Sequence, residues 1–363
     1  MTTAQLLSYL RGLDVRLWVE GDRLRYSAPP GAVTEPVREL LKERKAEVVG
    51  LLKEMNGGPA LALARDPRSP REPEAPLSHA QQRLWFMEQM EPGTGAFNIA
   101  GAMRVTGPLN VAALAASLNG IVVRHDVLRT AFATREGSPI AVVAETVALR
   151  LPVVELGHLP QGRREEEVRR QVREDARRGF DLSHAPLMRA GLLRLSPREH
   201  VLLLAMHHIV SDGWSMDVLL REVRALYAAY AEGRPSPLPD LPIQYTDFAR
   251  WQRAWLQGEV LESQLAYWKL RLAGSVTLLD LPTDHPRPAL QRYAGASEWL
   301  RVPEEVARGL RRLCEQAEVT LHMTLLAAYQ ALLARYTGQH DVLVGTPMAG
   351  RDQVELEGLN GCF

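Results

Sequence analysis

In Met206-His207-His208-Ile209-Val210-Ser211-Asp212-Gly213-Trp214-Ser215 an apolar run stops at two histidines, an acid and a glycine. Upstream, Val201-Leu-Leu-Leu-Ala-Met206 is apolar at every position, the pattern of a strand buried on both faces. Successive strand residues point to opposite faces, so His207 and His208 do not look into the same cavity, and one of them is expected to be structural. Downstream, Ser211-Asp212-Gly213 carries turn chemistry. Val218, Leu219, Val223, Leu226, Tyr227 and Tyr230 then recur at helical spacing between Met216 and Tyr230. The sequence predicts strand, tight turn and helix, with its polar residues gathered at the junction.

The chain has 363 residues and 46% apolar content, enough for two or three domains with real cores. Its 43 Lys and Arg balance its 43 Asp and Glu, which argues against a nucleic acid or a membrane held by bulk charge. Cys314 and Cys362 form neither a disulfide framework nor a metal-type spacing, which fits a reducing cytoplasm. The start, Met1-Thr-Thr-Ala-Gln-Leu-Leu-Ser8, lacks the features of a signal peptide. No apolar stretch approaches the length of about 18 residues that crosses a bilayer.

Residues 1–55 read as a small domain. A short helix over Ala4–Gly12 leads to two alternating stretches, Val15–Glu20 and Arg23–Tyr26, around Gly21-Asp22, which is a hairpin signal. A helix over Thr34–Glu54 follows, with Val37, Leu40, Leu41, Val48, Leu51 and Leu52 as its apolar face. The segment is either an accessory fold or a docking module that takes up a partner segment on its hairpin edge, where Arg16, Arg23 and Arg25 favour an acidic partner. Residues 56–76, with Gly57, Gly58, Pro59, Pro67, Pro70, Pro73 and Pro76, read as a flexible linker.

A larger domain then opens with a helix capped by Ser78, in which Leu84, Trp85 and Met87 are the expected core residues. A strand over Ala100–Thr106 and a helix over Val111–His125 come next. Arg124-His-Asp-Val-Leu-Arg129-Thr-Ala-Phe132 crosses from helix to strand, with a hairpin turn near Glu136-Gly137. Arg124 and Arg129 either meet buried acidic partners or lie on the surface. Arg163–Arg178 is a charge-dense, solvated helix. Tyr245–Trp251 and Gln264–Leu272 are helical, and the irregular stretch Pro282–Pro288 places a boundary between two halves at 282. Beyond it we expect strands over Glu298–Val302 and Asp341–Pro347, and helices over Glu304–Ala317 and His322–Tyr336.

Three chemistries compete for His207, His208 and Asp212. No metal site is expected, because adjacent strand histidines diverge and the motif supplies no further ligand. In a structural reading both histidines are hydrogen-bonded core residues and Asp212 caps the following helix. In a catalytic reading one imidazole faces a cavity, and the glycine turn at Gly213 lets substrate approach closely. His208, next to the turn, is then the candidate, with His207 structural.

His207-His208-Ile-Val-Ser-Asp212-Gly213 resembles the His-His-x-x-x-Asp-Gly motif of condensation domains from nonribosomal peptide synthetases. Ser78-His-Ala-Gln-Gln-Arg-Leu-Trp85, Arg124–Phe132, Tyr245-Thr-Asp-Phe248 and Val344-Gly-Thr-Pro-Met-Ala-Gly-Arg351 resemble that family's other core motifs, in the family's order. Residues 1–55 are similar to the docking domains that precede such domains. The resemblance implies a mixed α/β chain: a helix-hairpin-helix docking domain (1–55), the linker (56–76), and two chloramphenicol acetyltransferase-like lobes at 77–281 and from 282. Family members extend further than Gly361-Cys362-Phe363, so the second lobe is expected to be incomplete and the chain alone inactive.

The activity implied is peptide-bond formation between a donor acyl or peptidyl thioester and an acceptor aminoacyl thioester. Both ride on phosphopantetheine arms of partner carrier proteins, and no cofactor is bound by the chain itself. The docking domain would recruit the C-terminal segment of an upstream synthetase subunit and can pair with a second copy. His208 would accept or orient the proton of the attacking amine, and Asp212 would pair with an arginine, Arg351 in first place and Arg124 or Arg129 as alternatives. The alternatives to condensation are an acyltransferase using diffusible acyl-CoA and a non-catalytic docking scaffold.

Overall fold

The computed structural model describes residues 6–7, 10, 15–20, 23–28, 33–55, 63, 72–286, 288–289, 295–296 and 298–363. Its contacts group Met1–Leu61 with Gly258–Thr346, and Ala62–Gln257 with Pro347–Phe363. In the first unit the alternating residues pair as an antiparallel hairpin, β1 (Arg16–Glu20) and β2 (Arg23–Ser27), with Arg16 opposite Ser27 and Glu20 opposite Arg23. The turn expected at Gly21-Asp22 lies outside the described residues, as does most of Ala4–Gly12 and of the linker over 56–76. Leu6, Leu7 and Leu10 are helical and join Val15, Leu41 and Val48 in a small buried core. The single helix expected over 34–54 is corrected to two, α1 (Glu35–Glu43) and α2 (Lys45–Met55), because Arg44 leaves helical geometry at φ −102°, ψ 19°.

The same unit contains α8 (Gly258–Arg271), α9 (Glu304–Ala317) and α10 (Leu321–Thr337). Glu318 and Gly338, both at positive φ, end the last two helices. The strands expected over Glu298–Val302 and Asp341–Pro347 are a second correction, since neither stretch joins a ladder among the described residues. An extended segment becomes a strand only where a neighbour satisfies its amides and carbonyls.

The second unit is built on two sheets. β3 (Glu74–Pro76), the end of the stretch read as linker, pairs with β6 (Ser138–Val143), which pairs with β5 (Thr130–Arg135) around the expected hairpin. The larger sheet runs β4 (Asn98–Thr106), β9 (Glu199–His207), β8 (Met188–Ser196) and β7 (Val153–Glu155), antiparallel except for the parallel β7–β8 pair. From Glu199 to His207 every residue after the first is buried, because β9 has a neighbour on each edge and cover on both faces. Helices α3 (His79–Met90), α4 (Val111–Arg124), α5 (Gln161–Arg177), α6 (Gly213–Ala231) and α7 (Tyr245–Trp255) complete the unit. One core holds Leu118 and Ile121 of α4, Leu192 of β8, Met206 of β9 and Leu219 of α6. The junction between β9 and α6 therefore sits on a rigid support.

Candidate active site at the end of strand β9

His207 closes β9. Its backbone pairs with Asn98, and its N–H donates to the Leu187 carbonyl at 3.1 Å. The side chain is fully buried, with the rings of Phe97 and Phe180 centred 6.0 and 6.3 Å away. Burial, with His208 adjacent, lowers its pKa from 6.5 to about 4, so the ring is neutral. Nδ1 of His207 accepts the Ile209 N–H at 3.1 Å and closes the short 3₁₀ turn His208–Val210.

That lowered pKa gives a stability prediction. Between pH 6.5 and about 4 the unfolded chain binds a proton at this imidazole that the folded chain refuses. Stability present above pH 6.5 is thus lost as the pH falls, by up to about 3 kcal/mol. Urea midpoints at about pH 7.5 and about pH 4.5 should differ less in His207→Gln than in the wild type. Equal differences would show that His207 titrates normally.

His208 is only partly buried, and its Nδ1 lies 2.7 Å from the Ser211 carbonyl. A carbonyl only accepts, so Nδ1 carries the proton of the neutral ring and Nε2 holds the lone pair. That leaves a ring nitrogen with the electron pair a general base needs. The Cys362 thiol stands 3.8 Å from Nδ1, and burial pushes its pKa up to about 12, so it presents no thiolate to the imidazole.

Asp212 begins α6 and does two jobs. As N-cap it accepts the Ser215 N–H and the Ser215 hydroxyl, each at 2.7 Å. It also accepts from Arg351 Nη2, at 3.0 Å to Oδ1 and 3.2 Å to Oδ2, across 139 residues of sequence. The Arg351 side chain is 1% exposed and donates in addition to the carbonyls of Leu356 and Leu359 and to Ser215 Oγ. Its guanidinium lies 3.9 Å from the Phe363 ring centre. Burial lowers the pKa of Arg351, and Asp212 opposes that effect. The single Ser215 hydroxyl proton is shared between Asp212 Oδ1 and the Gly361 carbonyl at 3.0 Å, and Oγ accepts the Gly361 N–H at 3.0 Å, which ties residues 351–363 to the start of α6.

The alternative partners are corrected. Arg124 bonds Glu222 at 3.0 Å and the Pro239 carbonyl at 2.5 Å, while Arg129 bonds Asp126 at 2.5 Å. Glu222 also meets buried His125 at 2.8 Å. Burial pushes Glu222 up, yet His125 and Arg124 together outweigh it and leave its pKa lowered. Both arginines thus serve acidic partners of their own, and Asp212 is left to Arg351. Gly213 is the first residue of α6, has no positive φ, and an added Cβ would meet nothing within 4 Å among the described residues.

Two contributors were not singled out from sequence. Gln81 forms a capping box with Ser78 and donates through Nε2 to the Ile209 carbonyl at 3.1 Å. Glu88, 3% exposed, places Oε2 3.5 Å from His207 Nε2. The available signal was register: Gln81 and Glu88 share a helical face with Leu84, the buried member of the expected trio, whereas Trp85 and Met87 are only partly covered.

The junction thus offers an imidazole with its electron pair on Nε2 beside a capped, salt-bridged helix start, and comparison with known proteins places it in a family. The condensation-domain family matches residues 71–363, and the TubC N-terminal docking domain matches residues 4–54. The chain belongs to the condensation-domain family. This condensation domain is 41% identical over 295 residues to malpinin synthetase of Mortierella alpina, covering 81% of this chain and 4% of that protein. It is 41% identical over 308 residues to phosphinothricin tripeptide synthetase PhsC of Streptomyces viridochromogenes, covering 84% and 28%. The chain thus spans a small fraction of these relatives' length.

Among solved structures the condensation domain is similar to the X-domain from teicoplanin biosynthesis, with a TM-score of 0.73 and 29% identity over 83% of this chain and 66% of that one. The first condensation domain of the CDA synthetase superposes with a TM-score of 0.66 at 24% identity, over 80% and 68%. The fold is therefore the mixed α/β, chloramphenicol acetyltransferase-like fold of condensation domains. No described helix is long and apolar enough to cross a membrane.

Proposed function

We propose that the chain forms a peptide bond between two thioesters, each carried on the phosphopantetheine arm of a carrier protein, with His208 as the group that handles the proton. The observation that carries this reading is the Nδ1 contact to the Ser211 carbonyl, which leaves Nε2 as the acceptor. The α-amine of the acceptor, whose ordinary pKa is about 7.7 to 8.0, must be neutral to attack, and a neutral imidazole of ordinary pKa about 6.5 can take or orient its proton. The amine nitrogen attacks the donor carbonyl carbon, the C–N bond forms as the C–S bond breaks, and the departing sulfur receives the proton. Holding both thioesters in register contributes as much as proton transfer or more. His207, Asp212 and Arg351 would hold the frame without touching substrate.

We assign residues 1–55 to docking, the part of 56–76 before strand β3 to a linker, and the two lobes to 77–281 and from 282. The docking module would recruit the C-terminal segment of an upstream synthetase subunit, and pair with a second copy, through the β1–β2 hairpin. Arg16 and Arg23 lie on its strands, and Arg25 is exposed on β2. The surroundings would be cytoplasmic.

The test supplies a synthetase built on this sequence with loaded donor and acceptor carrier proteins, and follows the acceptor by intact mass. A dipeptidyl thioester on the acceptor carrier is expected. Transfer from diffusible acyl-CoA with none from the donor carrier would overturn the reading.

A further inference from the structure

A glutamate side chain 4% exposed in the last turn of helix α3 is an expensive placement, since carboxylates are rarely buried without a partner. Glu88 has two. Its Oε1 accepts the Gly93 N–H at 2.8 Å, and its Oε2 lies 3.5 Å from His207 Nε2. Among the described residues neither of these last two atoms makes a hydrogen bond. They are buried and face each other at 3.5 Å, an ion-pair-type contact just outside hydrogen-bond geometry.

The other nitrogen of His207 settles which way the proton faces. Nδ1 accepts the Ile209 N–H, so it must carry the lone pair, and the proton of the neutral ring lies on Nε2, toward Glu88. Ile209 is the middle residue of the turn His208–Val210, and its carbonyl is held from the other side by Gln81. Helix α3 thus grips this turn twice, directly through Gln81 and indirectly through Glu88 and His207.

From this geometry we infer that Glu88 is a positioning residue, holding His207 in the Nε2–H tautomer so that His207 Nδ1 can fix the turn that aims the His208 ring. Without that acceptor, only the Ile209 N–H still disfavours the Nδ1–H tautomer of His207, and the bias weakens. In it His207 would set an N–H against the Ile209 N–H, donor facing donor, and the backbone after His208 would lose its clamp. The inference rests on the reading of His208 given above only for its effect on turnover; the tautomer stands apart from it.

The tautomer is read first, from long-range proton–nitrogen spectra of this chain labelled with ¹⁵N-histidine. Wild-type His207 should show Nε2–H and unprotonated Nδ1, and Glu88→Gln, which keeps the shape but has one acceptor oxygen for two donors, should shift it toward Nδ1–H. In the condensation assay Glu88→Gln should lower kcat by roughly 10- to 100-fold with KM for the carrier proteins little changed. Added to His207→Gln it should cost nothing further, because both act through one contact. A wild-type His207 protonated on Nδ1 overturns the inference whether or not the variant folds. A folded Glu88→Gln with an unchanged tautomer, or with the same loss in both backgrounds, also overturns it. Absence of dipeptidyl product from the wild type would defeat the condensation reading and leave the spectra to decide the role of Glu88.

Discussion

Asp212→Ala should destabilise the unit formed by residues 62–257 and 347–363 by about 3 to 5 kcal/mol, because it strands a guanidinium that is 1% exposed. Four donors lose a bond to Asp212 in that variant: the Ser215 N–H and the Phe363 N–H at 3.4 Å, and Arg351 Nη2 and the Ser215 hydroxyl, which keep Ser215 Oγ and the Gly361 carbonyl as neutral acceptors. The helix cap alone accounts for about 1 kcal/mol, so most of the loss comes from the unpaired charge. This apportioning is checked by a second variant. Asp212→Ala combined with Arg351→Met removes both charges and should recover part of the loss, since a buried ion pair is far more costly to halve than to remove. Urea unfolding of the wild type, the two single variants and the double variant gives the cycle directly. A wild-type midpoint for Asp212→Ala would sink the structural role of the pair.

His208→Ala should behave in the opposite way. The ring gives up one hydrogen bond, to the Ser211 carbonyl, so the expected loss of stability is about 1 kcal/mol. Dipeptidyl thioester formation should fall by roughly 10² to 10⁴. The contrast between the two variants is more telling than either alone, since neighbouring residues of one motif would then fail for different reasons. Wild-type turnover by His208→Ala would remove the catalytic assignment and leave the fold and family untouched.

Strand β9 was legible because an unbroken apolar run ending in polar residues has one economical explanation, burial on both faces. His207 is fully buried and His208 partly open, but the alternation argument does not account for it, since the strand ends at His207 and His208 begins the 3₁₀ turn. The pairing of Asp212 with Arg351 was open to sequence reading only through the family resemblance, since no local periodicity links residues that far apart. Glu88 escaped notice for a general reason. A charged residue in a helix is read as solvent-facing, and only its register with Leu84 says otherwise. Glu298–Val302 and Asp341–Pro347 have strand-like composition, but pairing is a property of two segments and composition describes one.

The span between Asp212 and Arg351 also bears on how the protein is made. At about 5 to 20 residues per second, a ribosome needs roughly 7 to 28 s to synthesise the 139 residues that separate them. Throughout that interval α6 has its cap but not its counter-ion, and the whole of Gly258–Thr346 is translated before the unit begun at Ala62 is rejoined by Pro347–Phe363. Nascent chains arrested before Arg351 should therefore depend on chaperones in a way that chains released after Phe363 do not. The position of one arginine leaves the start of α6 without its counter-ion until 139 further residues have been made.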